Sequence, residues 1–238
     1  MKMNKYKVQF HAHTKSDPED CLFHSDKALI DRAHSHGYDV LAITCHNKIA
    51  HTKELEEYAK EKGILLIPGI EKSVCKNHVV IINAKPEAEN VNDFEALKKY
   101  KEQNPDSLIF AAHPYHPFPL GVLSLKSNLD KHHELFDAIE FSSFYSKKFD
   151  FNKKAVEASK KYNKPMIGTA DNHVLEFLNH TYSYVYAPSK TTNDILQAVK
   201  EGNIEIISKP MFLLRIGVMT LRLTFLEYGR KFINLFRN

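Results

Sequence analysis

Histidines and carboxylates recur along this chain at the ends of short apolar runs. One pair, His11-Ala-His13, lies near the start, and a second, Asp171-Asn-His173, lies in the last third. In extended backbone, alternate side chains point to the same face, so each pair can share one site. Imidazole and carboxylate together suit Zn²⁺, Mn²⁺ or Fe, and a carboxylate can bridge two ions. Single residues of the same types lie between the pairs: His46, Glu71, His78 and His113.

The apolar runs that carry these residues alternate with amphipathic helical patterns. Strands are predicted at 7–10, 40–44, 64–68, 79–83, 108–112, 138–141, 166–169 and 184–186. Helices are predicted at 26–36, 52–62, 92–103, 129–136, 152–162 and 193–201. Three of the helices are followed by a glycine (Gly37, Gly63 and Gly202), where a left-handed cap is favoured, and then by a strand. This order is typical of a parallel sheet with helical crossovers, either a closed barrel or an open doubly wound sheet.

Almost every candidate ligand lies where a strand passes into the following loop. In a parallel barrel those points converge on one mouth, where active sites are built. The remaining histidines fall on predicted helices or in loops, where a surface position is the default expectation. His116, in AAHPYHPF, is the ambiguous one, because it lies near the mouth without a patterned partner.

The composition predicts one globular domain with a C-terminal extension. The chain has 238 residues, of which 43% are hydrophobic and 26% charged, enough for a sizeable core. The formal net charge of +4 arises entirely within residues 211–238, so residues 1–210 sum to zero. An extended nucleic-acid track is therefore disfavoured. The three cysteines form no CxxC pair, and neither a signal peptide nor a spanning segment is predicted, so we expect a cytoplasmic protein.

Taken together, these residues resemble the motif set of the PHP (polymerase and histidinol phosphatase) family of metal-dependent phosphoesterases. The matching pieces are HAHTKSD at 11–17, AITCHN at 42–47, PGIE at 68–71, His78, AHP at 112–114 and ADNH at 170–173. They span most of residues 6–188, and residues 178–208 resemble the C-terminal part of small stand-alone members. The resemblance implies a distorted TIM-like (β/α)7 barrel with seven parallel strands and two or three divalent metal ions.

The resemblance also implies which residues hold those ions. The expected groups are His11, His13, Glu71 and Asp171 for the first ion; Glu71, His78 and His113 for the second; and Asp17, His46 and His173 for the third. Two departures bear on the third ion. Pro18 follows Asp17 where the family usually has glycine, and Cys45 stands where it commonly has aspartate. Cys45 either replaces a residue that only supported His46, or is itself a thiolate ligand or redox-sensitive group.

The activity implied is hydrolysis of a phosphate ester by a metal-activated water. The substrate expected is a small phosphorylated metabolite or a nucleotide. Glu71, Asp171 and His116 are the candidate catalytic residues, and either His116 or a metal-bound water would protonate the leaving group. Lys15, Asn47 and Lys48 are candidate substrate-binding residues, although plain surface exposure is the alternative for both lysines.

Two other functions stay open. A barrel that has lost catalysis could serve as a regulatory or membrane-recruited binding module, and a metal-dependent amide hydrolase could use a similar barrel. Residues 211–238 are predicted to form a basic amphipathic helix, since Arg215 and Arg222 lie seven residues apart, as do Arg230 and Arg237. That helix would pack on the barrel, pack on a partner subunit, or lie on an anionic membrane surface.

Overall fold

Short buried strands alternate with amphipathic helices, as the hydrophobic periodicity predicts. The structure is a computed structural model, and it describes residues 2–116, 124–212 and 217. Its strands are β1 (Asn4–Gln9), β2 (Val40–Ile43), β3 (Leu65–Val74), β4 (Asn77–Ile82), β5 (Leu108–Ala111), β6 (Ala138–Ser142), β7 (Met166–Thr169), β8 (Thr181–Ala187) and β9 (Ile204–Ser208). Its helices are α1 (Asp26–Ser35), α2 (Lys53–Glu61), α3 (Phe94–Gln103), α4 (Ser127–His132), α5 (Asn152–Tyr162) and α6 (Thr192–Lys200).

Local signals begin and end these helices. The side chains of Ser25, Thr52, Asp93 and Thr191 each accept a hydrogen bond from a backbone N–H in the first turn of the helix that follows. The predicted left-handed caps are confirmed, because Gly37, Gly63 and Gly202 have φ of 69°, 74° and 78°.

The strands form one sheet in the order β7-β6-β5-β4-β3-β2-β1-β8-β9. Within the described residues, seven strands run in one direction, but β4 and β8 run against their neighbours. The seven strands in one direction agree with the distorted barrel that the resemblance implied, and the antiparallel strands β4 and β8 are additional to them. The cause at β4 is its connection to β3, because only Cys75 and Lys76 separate the two strands and both have positive φ (46° and 63°). A two-residue loop of this kind makes a hairpin and leaves no room for a crossover helix.

The two ends of the sheet nearly meet, which gives the barrel its shape. The Ser183 hydroxyl on β8 accepts a hydrogen bond from Gly168 N of β7 at 2.9 Å and donates one to Gly168 O at 3.0 Å. A Cβ atom at residue 168 would lie 2.5 Å from Ile206 Cγ2 and 3.2 Å from Tyr182 O. Only glycine therefore allows β7 to approach β8 and β9 this closely. Strand β9 was implied by the glycine after α6 but was missing from the predicted strands.

Alternate strand residues fill the barrel interior, and α6 packs against that interior with its buried face. The interior cluster includes Val8, Val40, Ile67, Val80 and Phe110 together with Ile195 and Val199 of α6. The residues between them on β4, β5 and β6 form a second cluster with α3, α4 and α5. The apolar filling thus occupies the barrel and leaves the carboxyl ends of the parallel strands to polar side chains.

The predicted C-terminal helix at 211–238 lies outside the described residues, apart from Met211, Phe212 and Gly217. Within the described ranges, no helix has the combination of length and apolar character that crossing a bilayer requires.

The contact of β7 with β8 and β9 makes a prediction about stability. We expect Gly168→Ala to lower the free energy of unfolding by about 2 kcal/mol, because its Cβ overpacks against Ile206 and the Tyr182 carbonyl. Urea titration followed by circular dichroism measures the loss. In a Gly168→Ala/Ile206→Ala double variant, the loss should be smaller than the sum of the two single losses. Additive losses would contradict the contact.

Candidate metal centre

The carboxyl ends of the parallel strands carry the candidate ligands to one mouth. His11 and His13 follow β1, His46 follows β2, His113 follows β5, and Asp171 and His173 follow β7. Glu71 lies within β3 on the same face as Ile67 of the barrel interior, two pleats further along. His78 is the second residue of β4, and because β4 is reversed, its beginning lies at the same end of the barrel.

Glu71 is the centre of the cluster, because its two carboxylate oxygens face five imidazoles. Oε2 lies 3.2 Å from His11 Nε2, 3.2 Å from His13 Nε2 and 3.0 Å from His46 Nε2. Oε1 lies 2.9 Å from His78 Nδ1 and 3.1 Å from His113 Nε2. The carboxylate is buried, and because its two oxygens face different imidazoles, each oxygen could serve a different ion.

The first group consists of His11, His13, Glu71 and Asp171, with one ligand atom from each residue within 4.8 Å of the others. Asp171 Oδ1 lies 3.4 Å from both His11 Nε2 and His13 Nε2. These three atoms are buried and make no hydrogen bond of acceptable geometry to the described residues. Buried polar atoms that converge without pairing fit a metal ion, since leaving them unpaired would be costly.

The second group consists of His46, Glu71 and His78. His113 adjoins it, with Nε2 3.4 Å from His78 Nδ1. The structure therefore brings together Glu71, His78 and His113 as the resemblance implied, and adds His46 to them.

The third group contains a residue that the sequence analysis missed. Asp20 lies with His13, His46 and His173, and its Oδ2 is 2.8 Å from His173 Nε2 and 3.6 Å from His46 Nδ1. Asp17, expected in this place, is not in the group. The sequence contained a signal for this residue, since Asp20 is a second aspartate only three residues after Asp17. The motif resemblance, however, pointed to Asp17.

Asp17 instead lies behind the imidazoles and orients them. Its Oδ2 accepts hydrogen bonds from His13 Nδ1 at 2.9 Å, His46 Nδ1 at 2.9 Å and His46 N at 2.8 Å. Burial alone would raise the pKa of Asp17, but the hydrogen bonds from His13 and His46 hold that pKa far below its usual range. Because the ionised carboxylate only accepts, both Nδ1 atoms are donors and both Nε2 atoms turn towards Glu71.

The carboxylates and imidazoles of this cluster stabilise each other's charged forms. Burial lowers the pKa of His11, but the carboxylates of Glu71, Asp171 and Glu140 raise it well above its usual value. Burial likewise opposes ionisation of Glu71, while the surrounding imidazoles, His78 foremost, hold its pKa well below its usual range. For His46, burial lowers the pKa, but the charge of Glu71 together with the hydrogen bonds to Asp17 and Glu71 raises it to about 10. Divalent cations would take the place of these protons.

Cys45 lies away from the ligand groups. It is fully buried, and its Sγ lies 3.6 Å from Thr14 Oγ1 in an apolar cluster with Leu29 and Ile43. Burial raises the pKa of this thiol, so it stays protonated. The position thus gives no support to a thiolate ligand and leaves the alternative, the loss of a residue that only supported His46.

The other candidate residues lie at the edge of the mouth. Lys15 and Lys48 are exposed. Asn47, at φ 53°, donates through its side-chain amide to Glu19 and accepts from Ser73 N at 3.1 Å, so it ties the loop after β2 to β3. His116 is buried with Nε2 3.3 Å from Phe144 O. Burial, followed by repulsion from His113, lowers the pKa of His116 to about 4, so the ring is neutral at pH 7.

Sequence reasoning also missed Glu140, a buried carboxylate on β6. Its Oε1 lies 2.8 Å from His11 Nδ1. The signal was a single acidic residue in the apolar run Ala-Ile-Glu-Phe-Ser, which the strand pattern alone does not distinguish from an outward-facing charge.

Comparisons with known proteins agree with this architecture. Residues 149–204 match the family model described as PHP-associated. No curated protein matches the sequence.

Solved structures share the fold at low sequence identity. A two-domain protein from Bacteroides vulgatus that contains a PHP-like metal-dependent phosphoesterase superposes with a TM-score of 0.67 at 20% identity, over 87% of this chain and 65% of its own. PsfC from Pseudomonas syringae superposes with a TM-score of 0.64 at 15% identity, over 95% and 99% of the two chains. The lesion-specific endonuclease EndoQ from Pyrococcus furiosus gives 0.62 at 14% identity, over 85% and 58%.

Over residues 149–204 the chain therefore matches the PHP-associated family model, and it shares its fold with these solved structures. Its clustered histidines, aspartates and glutamate form the kind of site that binds metal ions. The chain spans about two thirds of the Bacteroides protein.

The different positions of Asp17 and Asp20 make a prediction about metal binding. We expect Asp20→Asn to remove one weakly held equivalent of Zn²⁺, because it takes the only carboxylate from the third group. Asp17→Asn should instead weaken zinc binding in all three groups by about 10–100-fold, because it frees the Nδ1 atoms of His13 and His46, which between them belong to every group. Zinc titration against a chromophoric chelator distinguishes these results. Identical titrations for the two variants would contradict the assignment.

Proposed function

We propose that the chain is a metal-dependent phosphoesterase that hydrolyses a small phosphorylated substrate. The observation that carries the proposal is the position of Glu71, whose two oxygens face two separate sets of imidazoles. A bridging carboxylate of this kind suits a cluster of at least two divalent ions, with Zn²⁺, Mn²⁺ and Fe as candidates. When bound, such ions would activate a water molecule and neutralise charge on the phosphoryl group.

The charge of the site supports the same substrate class. Three carboxylates belong to the ligand groups (Glu71, Asp171 and Asp20), and two more, Asp17 and Glu140, hydrogen-bond to the ligand imidazoles. In the described part of the chain, no lysine or arginine forms an ion pair with any of the five. With neutral imidazoles, two divalent ions would leave one negative charge and three would leave one positive charge. A phosphate anion would therefore bind through the ions, most favourably with all three present.

Exposure indicates the side from which water and substrate approach. The side chains of His11 and His13 are sealed, whereas Asp171 keeps 23% of its side chain exposed and His173 keeps 16%. Asp171 is thus placed to accept a proton from the attacking water. Glu71 is buried and contacts the five surrounding imidazoles. His116 is neutral at pH 7, so it can donate a hydrogen bond to a leaving group but holds no imidazolium proton to give.

A cleft beside His173 is the candidate subsite for the organic part of the substrate. Its volume is about 210 Å³, and its walls are Leu22, Phe23, His24, His173, Val174, Leu175 and Glu176. Phe23 is 73% exposed, an unusual position for a large apolar side chain. The cleft is small and mostly apolar, which favours a metabolite or single nucleotide with a planar or apolar group over an extended polymer.

Nucleic acid is the main competing substrate, because EndoQ, with the same fold, is an endonuclease.

The free thiols of Cys21, Cys45 and Cys75 agree with a reducing compartment, so we propose that the protein is cytoplasmic. Contact with a membrane surface or self-association through 211–238 stays a prediction about a segment outside the described residues.

The first test of this function is a metal-dependent assay. We expect the purified chain to hold two or three equivalents of transition metal and to hydrolyse a chromogenic phosphomonoester, with turnover lost on chelation and restored by Zn²⁺ or Mn²⁺. His13→Ala and Asp171→Ala should each lower kcat/KM by more than about 100-fold, beyond the usual effect of removing a group that only supports a ligand. His34→Ala, which changes a histidine on the outer surface of α1, is the control and should leave the rate unchanged.

Each alternative function has its own outcome in that assay. Metal binding without turnover of monoesters, diesters or oligonucleotides would favour the binding module, and turnover of a cyclic amide would favour the amide hydrolase. Failure to take up metal after supplementation would overturn the site itself.

The cleft makes a separate prediction about substrate selectivity. We expect Phe23→Ala to raise KM for an aryl phosphate about tenfold and to leave kcat nearly unchanged, because it removes an apolar wall without touching the ligand groups. Methyl phosphate, which has no group to fill the cleft, provides the comparison. An equal rise in KM for both esters would argue against this subsite.

A further inference from the structure

Glu140 is a fully buried carboxylate on β6, on the same interior face as Ala138. No lysine or arginine of the described chain forms an ion pair with it. Its partners are three hydrogen-bond donors: the His11 imidazole through Nδ1, the Thr169 hydroxyl and the His113 backbone N–H. A carboxylate in such a place is expensive to desolvate, and an apolar side chain of similar volume would often be as stable or more so. Its retention therefore needs a reason beyond stability.

The three donors come from three different strand ends. His11 follows β1, His113 follows β5, and Thr169 ends β7 two residues before Asp171. From β6, Glu140 thus hydrogen-bonds to the three segments that carry the candidate ligands His11, His113 and Asp171.

Each of its contacts with the candidate ligands fixes a specific property. A carboxylate at 2.8 Å from His11 Nδ1 requires that nitrogen to carry the hydrogen, which leaves Nε2 free to face Glu71 and Asp171. The contact at His113 N holds a residue whose φ is 27°, in the left-handed region that a non-glycine residue seldom adopts. That backbone conformation turns His113 Nε2 towards Glu71 Oε1.

We propose that Glu140 is a positioning residue of the metal centre, which fixes the tautomer of His11 and the backbone conformation of His113. It does for these two residues what Asp17 does for His13 and His46. Two buried carboxylates, neither of them in a ligand group, then orient four of the five imidazoles around Glu71. The inference rests on the proposed metal centre but not on the hydrolysis of any phosphate ester.

The most direct test is Glu140→Gln in the full chain. The amide has the same size and one acceptor oxygen, so it cannot accept from both His11 Nδ1 and His113 N through separate oxygens. If the oxygen keeps His113 N, the NH₂ group faces His11 Nδ1 and favours the tautomer with hydrogen on Nε2, which cannot bind a metal ion. We expect zinc affinity of the tightest site to fall about 10–100-fold.

Two readouts separate positioning from a general loss of stability. The ¹⁵N shifts of the His11 ring in the zinc-loaded protein report which nitrogen carries hydrogen. They should show Nδ1–H in the unchanged chain and lose that signature in Glu140→Gln. Asn152→Leu is the matched control, because buried Asn152 also hydrogen-bonds near the end of β6 but only to the backbone of Ser142. It should lower the melting temperature and leave zinc affinity of the folded protein unchanged.

The outcomes are distinct. Unchanged zinc affinity and an unchanged His11 signature in Glu140→Gln would overturn the inference while leaving the metal centre intact. No zinc binding by the unchanged chain would instead overturn the metal centre. If Glu140→Gln does not fold, Glu140→Asp keeps the charge and shortens its reach. It should weaken zinc binding, and wild-type affinity in that variant would count against the proposal.

Discussion

The site depends on one buried carboxylate. Glu71 lies at the meeting point of five imidazoles from four segments, namely those after β1, β2 and β5 and the start of β4. A charge so deeply buried is tolerable only among several compensating groups. The closed arrangement of strands provides those groups by bringing every strand end to the same mouth. The barrel is thus the means of surrounding one carboxylate, and the metal chemistry follows from what surrounds it.

The orientation of the imidazoles is controlled from outside the ligand groups. Asp17 and Glu140 bind the Nδ1 atoms of His13, His46 and His11, and so turn the Nε2 atoms inward. Each of these carboxylates also holds backbone N–H groups, at His46 and at His113 respectively. One side chain therefore sets both the ring and the main chain at its side of the cluster, which is the preorganisation that a metal centre needs.

Much of this arrangement could be predicted from the sequence, and the exceptions have physical causes. The strand ends, and with them the position of the mouth, could be predicted because the period-two pattern and the capping glycines are local signals. The choice of Asp20 over Asp17 depends on how the loop after β1 folds, and the inward direction of Glu140 depends on the register of β6. A few neighbouring residues in the sequence determine neither the loop conformation nor the strand register. The hairpin at Cys75 and Lys76 escaped notice because it lacks the glycine or asparagine that usually marks such a turn.

The pairing of β1 with β8 has a consequence for how the protein matures. These strands lie side by side although their partnered residues, such as Asn4 and Ala187, are separated by most of the described chain. During synthesis, β1 and the histidines that follow it emerge from the ribosome long before Asp171, and long before β8, the strand that pairs with β1. The barrel therefore closes only after translation has passed β8, and contacts of such long range form slowly. A nascent chain that ends before β7 lacks Asp171 and His173, so the first and third ligand groups can be complete only after that part of the chain has been synthesised.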